Sequence, residues 1–111
     1  MDFKDLKRGT EYEDGFDEDD AVVADFWEVV LAYDEEQKRS FLKFVSGSDR
    51  APIDGLSTMG FKISKNGDDD ERLPSAHTCF NHLLLPHYSG IDIMRKKLML
   101  AIENSEGFGL Q

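Results

Sequence analysis

The spacing of apolar residues predicts three helices along the chain. After a run of acidic residues, which can cap a helix start, apolar side chains recur three and four residues apart from Ala21 onward. A second stripe follows Asp34 and stops before Gly47, a residue type that tolerates the positive φ common at helix C-termini. A third stripe begins near Ser89. The apolar positions are Val22, Val23, Phe26, Val29, Val30 and Tyr33; then Phe41, Leu42, Phe44 and Val45; then Ile91, Met94, Leu98, Ala101 and Ile102.

Two shorter segments have the patterns of β-strands. Residues 61–64 alternate between apolar and polar side chains, as a half-buried strand does, and residues 83–85 form an apolar run that is stopped by Pro86. The segment between them, residues 75–81, is polar and non-helical, and we predict a loop there. The order of helices and strands predicts a small α/β (α+β) domain, with a short sheet packed by helices.

The first twenty residues differ from the rest of the chain. They are polar and strongly acidic, with Gly15 in the middle of the acidic run. Such a composition buries too little apolar surface to offset the cost of ordering, so a linker or a disordered terminus is expected. We divide the chain into a linker, residues 1–16, and one domain, residues 17–111.

Composition narrows the classes of function. The 111 residues, 40% of them hydrophobic, suit one small domain with a single core. The net charge of −10 disfavours nucleic acid and membrane surfaces as partners, because both are bound mainly through Lys and Arg. No apolar run is long enough to span a membrane, and the first residues lack the order of a secretion signal. A cytoplasmic or nuclear location is expected.

The single cysteine, Cys79, is the strongest candidate for chemistry. A lone cysteine is most often a small buried residue, but the polar neighbours of Cys79 indicate an exposed loop. His77 lies two residues earlier, where an extended chain would place both side chains on one face. An imidazole there could orient or tune the thiol, whose thiolate form is the nucleophile. The alternative is a histidine that only hydrogen-bonds the loop backbone.

Two other classes of function stay open on the residues alone. One is a zinc-binding domain, since zinc accepts His77, Cys79, His82 and His87 as ligands; however, the last two flank a strand and should point to opposite faces. The other is a non-catalytic interaction module that uses Trp27 or a C-terminal aromatic as its anchor. No phosphate-binding loop is present, and no cofactor or resident metal is predicted.

One stretch of the chain is far more specific than these patterns. Residues 73–81 read LPSAHTCFN and are followed by Leu83, Leu85-Pro86 and Tyr88; together they resemble the active-site signature of the HECT ubiquitin ligases. The resemblance extends over nearly the whole chain, and the sequence is similar to that of the HERC branch of the family. The supporting matches are residues 10–12, 26–28 and 41–50, Pro52, Gly55 and residues 106–108.

The resemblance implies a particular domain and a set of site residues. It identifies residues 17–111 as the C-lobe of a HECT domain and residues 1–16 as the hinge to a larger N-lobe upstream. Cys79 would be the nucleophile, and His77 and Thr78 the neighbours that shape its surroundings. Phe108 matches an aromatic that the family uses in lysine transfer, although a C-terminal Phe could instead anchor the tail. The leucines of residues 83–85 would either contact the ubiquitin tail or fill a buried strand.

The resemblance also implies the reaction and its partners. Cys79 would take ubiquitin from a ubiquitin-conjugating enzyme as a thioester and pass it to the lysine of a protein substrate. In this family the conjugating enzyme docks on the N-lobe, which residues 1–111 do not contain. The isolated chain is therefore expected to receive ubiquitin inefficiently.

Overall fold

The computed structural model describes residues 1–104, in which four helices and four strands form one α/β domain. This confirms the predicted fold class. The helices are α1 (Phe3–Arg8), α2 (Ala21–Leu31), α3 (Glu35–Ser46) and α4 (Ile91–Glu103); the strands are β1 (Glu11–Glu13), β2 (Lys62–Lys65), β3 (Ser75–His77) and β4 (His82–Leu85); two 3-10 turns span Leu56–Thr58 and Thr78–Phe80. Within these residues no helix has the length and apolar character needed to cross a membrane.

Three predicted helices are confirmed, and their starts and stops follow from local chemistry. Asp20 caps α2 by accepting a hydrogen bond from the Val22 amide. Asp34 and Gln37 form a reciprocal capping box at the start of α3. Gly47 ends α3 in the left-handed region, at φ 83°, which glycine adopts without steric cost.

The sheet has the order β1-β2-β4-β3, with β1, β2 and β4 parallel and β3 antiparallel to β4. Its register aligns side chains in rows across all four strands. One row, which faces the helices, contains Tyr12, Ile63, Leu83 and Ala76. The next row contains Glu11, Lys62, His82 and His77, and it faces away from the core because side chains alternate along a strand.

Aromatic rings from three helices and from the start of β2 fill the centre of the core. Phe41 lies within 5.7–6.5 Å, centroid to centroid, of the rings of Phe3, Phe26, Tyr33 and Phe61. Such tilted and edge-to-face contacts are favourable beyond the burial of apolar area alone. The helices are thereby fixed against the inner face of the sheet.

The first twenty residues do not form the disordered terminus that their composition suggested. Residues 3–8 form α1, capped by Asp2, and residues 11–13 add a parallel edge strand to β2. Phe3, Leu6 and Phe16 are all buried in the common core. Each fully buried side chain of this size contributes about 1.5–3 kcal/mol, which offsets the ordering of a short, acidic segment. The assignment of residues 1–16 to an inter-lobe hinge stays a prediction.

Candidate active site

Cys79 lies at the tip of a tight hairpin formed by β3 and β4. The paired residues are Ser75 with Leu84, Ala76 with Leu83, and His77 with His82, so only residues 78–81 make the turn. The segment predicted as a loop is therefore a strand followed by a 3-10 turn. The sequence pattern missed β3 because a three-residue edge strand is too short to display an alternation.

Asn81 holds the turn in place. Its backbone lies in the left-handed region, at φ 51°, which Asn adopts more readily than most residues. Its side-chain Nδ2 donates to the Met59 carbonyl at 2.7 Å, and its own carbonyl accepts from the Lys62 amide at 3.1 Å. On the other side, Thr78 packs close to Gly47 at the end of α3. The turn is thus attached to β2 and α3 at once.

The Cys79 side chain is accessible to solvent. Cys79 is exposed and is a free thiol. The next residue, Phe80, is 71% exposed, which is uncommon for a phenyl ring, while Thr78 is half-buried. The prediction that the cysteine is exposed is confirmed.

His77 and His82 face each other at the neck of the hairpin. Their ring centroids are 5.8 Å apart with an interplanar angle of 51°. Residues 1–104 contain no hydrogen bond between the His77 ring and the Cys79 thiol. The extended chain expected from His77 to Cys79 is wrong, because a 3-10 turn begins at Thr78. The partner of His77 across the strand pair is His82, which the sequence suggested only as a zinc ligand.

His82 has a second partner, Ser64 on the neighbouring strand β2. Its Nε2 lies 2.6 Å from the Oγ of Ser64, whose side chain is fully buried. Burial lowers the pKa of the His82 imidazole, and the charges of His77 and Lys62 lower it further, against the smaller opposite influence of two carboxylates on and beside β1. The neutral form of His82 is favoured.

The described residues do not assemble the zinc site considered above. Among residues 1–104 no group of three or more His, Cys, Asp or Glu side chains is placed to hold a metal ion. His87 lies apart from the hairpin histidines. Its ring stacks on Phe16 at 6.2 Å, and its Nε2 is 3.8 Å from a carboxylate oxygen of Asp20.

The remaining predicted residues are Trp27, Leu83, Leu85 and Phe108. Trp27 is 2% exposed and its indole N–H donates to the Tyr12 hydroxyl at 3.0 Å, so Trp27 cannot anchor a partner and that part of the interaction-module alternative is wrong. Leu83 and Leu85 are fully buried, which fits the strand interpretation. Phe108 lies outside the described residues, and its role stays a prediction.

The asparagine anchor and the Ser64–His82 pair were missed by sequence reasoning. The only signal in the sequence was the strand alternation, which places Ser64 on the outer face of β2 and His82 on the outer face of β4. Their contact depends on the register between two parallel strands that are seventeen residues apart, from Lys65 to His82. No local pattern carries that register.

Comparison with known proteins identifies the family. The family model described as "HECT-domain (ubiquitin-transferase)" matches residues 1–111. The chain is 45% identical over its full length to "Probable E3 ubiquitin-protein ligase HECTD2" of Mus musculus, covering 14% of that protein. It is 40% identical over its full length to "Probable E3 ubiquitin-protein ligase HUL4" of Eremothecium gossypii, covering 13%.

A HERC protein is also among the relatives. The chain is 41% identical, over 98% of its length, to "Probable E3 ubiquitin-protein ligase HERC4" of Homo sapiens, covering 10% of that protein. This identity is close to the values for HECTD2 and HUL4, so it does not single out the HERC branch. The chain spans about one-seventh or less of the relatives it matches, and its exposed-cysteine hairpin is contained in the matched segment. By sequence and by the match over its whole length, the chain belongs to the HECT-domain (ubiquitin-transferase) family.

Proposed function

We propose that this chain carries the thioester step of a ubiquitin ligase, with Cys79 as the acceptor of ubiquitin. The observation that supports the proposal is the exposed thiol of Cys79 at the tip of a hairpin anchored on two sides, within a domain that belongs to a ubiquitin-transferase family. A free cysteine held in an accessible, fixed turn is suited to attack a large, flexible thioester.

The first step is an exchange between two thioesters. The Cys79 thiolate attacks the carbonyl carbon that joins ubiquitin to the cysteine of the conjugating enzyme. A new C–S bond forms at Cys79, the old C–S bond breaks, and the thiolate of the conjugating enzyme leaves. Because a thioester replaces a thioester, the step is nearly balanced in free energy and depends mainly on positioning.

The second step transfers ubiquitin to a substrate. An unprotonated lysine amine attacks the Cys79 thioester, a C–N bond forms, the C–S bond breaks, and the amine loses a proton as Cys79 returns to its thiol form. This step is downhill because an amide is more stable than a thioester. It requires alignment of the amine, and Phe108, at the fourth position from the C-terminus, is proposed to contribute to that alignment. A cytoplasmic or nuclear location is part of the proposal.

The test is a ubiquitin-charging assay read on a non-reducing gel. The chain is mixed with activating enzyme, conjugating enzyme, ubiquitin and ATP, both alone and fused behind the upstream HECT segment of HECTD2. We expect a ubiquitin adduct that reductant removes, and a larger yield from the fusion because the family's N-lobe binds the conjugating enzyme.

Two substitutions of the acceptor serve as matched controls. Cys79→Ser replaces the thioester by an oxyester, so any adduct should survive reductant, whereas Cys79→Ala should give none. An adduct that persists unchanged in Cys79→Ala would show that another residue is the acceptor. Absence of any adduct from the fusion, with a fully folded chain, would overturn the proposal.

The interaction-module alternative predicts a different result. With Trp27 buried, its remaining anchor is Phe108, and it assigns no role to the thiol. Under this alternative, Cys79→Ala would leave every activity of the fusion intact.

A further inference from the structure

On the outer face of the sheet, one row of side chains ends next to the Cys79 turn. One cross-strand row contains Glu11, Lys62, His82 and His77 in that order, and residues 78–81 follow His77 immediately. The row changes from an acid at one edge to a lysine and then to two imidazoles. His82 is the inner member of the imidazole pair, and His77 is the member at the sheet edge and at the neck of the turn.

The hydrogen bond to Ser64 constrains the protonation of His82. The Ser64 side chain is fully buried, and within residues 1–104 its hydroxyl is hydrogen-bonded to His82 Nε2, at 2.6 Å. If the Ser64 hydroxyl donates, Nε2 accepts and the imidazole is neutral. If His82 were charged, Nε2 would have to donate, and the Ser64 O–H would lie buried without an acceptor. A buried donor left unpaired costs about 1–3 kcal/mol.

Other charges around His82 act in the same direction on balance. Lys62 on β2 and His77 on β3 flank the ring and disfavour a positive charge there, while Glu13 on β1 and Asp14 just after it favour one less strongly. The Nζ atom of Lys62 is also 3.6 Å from a carboxylate oxygen of Glu13, so Glu13 pairs with the lysine rather than with the imidazole. The two ring centroids are 5.8 Å apart, so a positive charge on one imidazole disfavours a positive charge on the other.

We propose that Ser64 and His82 direct the first proton taken up by the His77–His82 pair onto His77, beside the Cys79 turn. Two residues of chain limit the separation of the His77 and Cys79 Cα atoms to about 7 Å. A cationic imidazole favours the thiolate form of a nearby thiol, so we expect Cys79 to be more reactive when His77 carries the proton. The importance of this for ubiquitin transfer rests on the function proposed above, whereas the proton placement does not.

The test uses the isolated chain with ¹³C- and ¹⁵N-labelled histidine, because its three histidines can be followed separately by NMR across a pH titration. In Ser64→Ala we expect the His82 titration midpoint to rise toward the ordinary imidazole value of about 6.5, and the protonated fraction of His77 at a given pH to fall. His87, which stacks on Phe16 away from the hairpin, is the internal control and should keep its curve.

Cys79 alkylation by iodoacetamide at pH 6 supplies a readout that a purely structural role would not change. If part of the proton moves to His82 in Ser64→Ala, the protonated fraction of His77 falls, and the alkylation rate should fall with it. The matched variant His82→Gln removes the competing imidazole but leaves a neutral side chain, so it should keep both the His77 curve and the alkylation rate.

Specific outcomes would overturn the proposal. If Ser64→Ala leaves the His82 and His77 curves unchanged, the serine does not control the pair. If His82→Gln raises the His77 midpoint, the proton was shared in the native chain. Since neither readout involves ubiquitin, failure here is distinguishable from failure of the charging assay, and a normal charging assay with unchanged histidine curves would remove only this inference.

Discussion

The aromatic core lies between the helices and one face of the sheet, whereas the Cys79 turn projects from the end of the sheet where β3 meets β4. The core is a set of fully buried rings in mutual contact, such as Phe41 with Phe3, Phe26 and Phe61. The turn has no fully buried residue, and it is held by two hydrogen bonds of Asn81, one to the Met59 carbonyl and one from the Lys62 amide. Because the two regions are held by different interactions, we expect changes at the tip of the hairpin to have little effect on the stability of the core.

The largest effect on stability should come from the core. Phe41→Ala removes a ring that contacts four other rings, and we expect the free energy of unfolding to fall by about 3–5 kcal/mol. Urea denaturation measures it. The matched control on the same helix is Phe44→Ala, which truncates a half-buried ring and should cost clearly less. Equal losses in the two variants would contradict the assignment of the core centre.

A smaller effect should follow from the anchor of the turn. Asn81→Ala removes the donor to the Met59 carbonyl and places Ala at a positive φ, so we expect a loss of about 1–3 kcal/mol. Asn81→Gly removes the same donor but tolerates the backbone, and it should cost less. Hydrogen exchange of the Lys62 amide, which donates to the Asn81 carbonyl, reports on the turn itself. Unchanged exchange in Asn81→Ala would show that the anchor is not needed.

A pH-dependent effect is expected at the acidic loop before β3. Both carboxylate oxygens of Asp70 accept hydrogen bonds from Ser89, one from its amide and one from its hydroxyl, and these bonds lower the pKa of Asp70. A folded-state pKa below the unfolded value means that the contribution is fully present above the unfolded value, about 3.9, and is lost as pH falls through the folded value.

Asp70→Asn should therefore lower the thermal midpoint slightly at pH 7, and the gap to the native chain should close in the most acidic samples. Thermal unfolding followed from pH 7 downward measures this. The control is Asp68→Asn in the same acidic run, for which no hydrogen bond to Ser89 is present among the described residues. A gap that widens on acidification would reverse the sign argued here.

The smallest effects on stability are expected at the tip of the hairpin. Cys79→Ser and Phe80→Ser both change exposed side chains, so the free energy of unfolding should shift by no more than about 0.5 kcal/mol. The same Cys79→Ser protein should lose the reductant-sensitive ubiquitin adduct. A large loss of stability in either variant would break the separation between the core and the hairpin.

Much of the fold could be predicted from the sequence because its signals are local. The apolar stripes and the caps at Asp20, Asp34 and Gly47 act within a few residues, so α2, α3 and α4 were predicted near their true bounds. The helix α1 was missed because Phe3 and Leu6 are too few to form a stripe. Their ordering comes from burial against distant parts of the chain, which composition does not reveal.

The candidate site also has some features that local sequence signals predict and others that depend on distant parts of the chain. The single cysteine, its polar neighbours and the family signature of residues 73–81 can be read directly from the chain, because they are properties of adjacent residues. The four-residue turn anchored by Asn81, the pairing of His77 with His82 and the bond from His82 to a buried Ser64 became visible in the folded domain. The reason is physical: those contacts depend on the register between strands, which the packing of the whole core sets and no local pattern encodes.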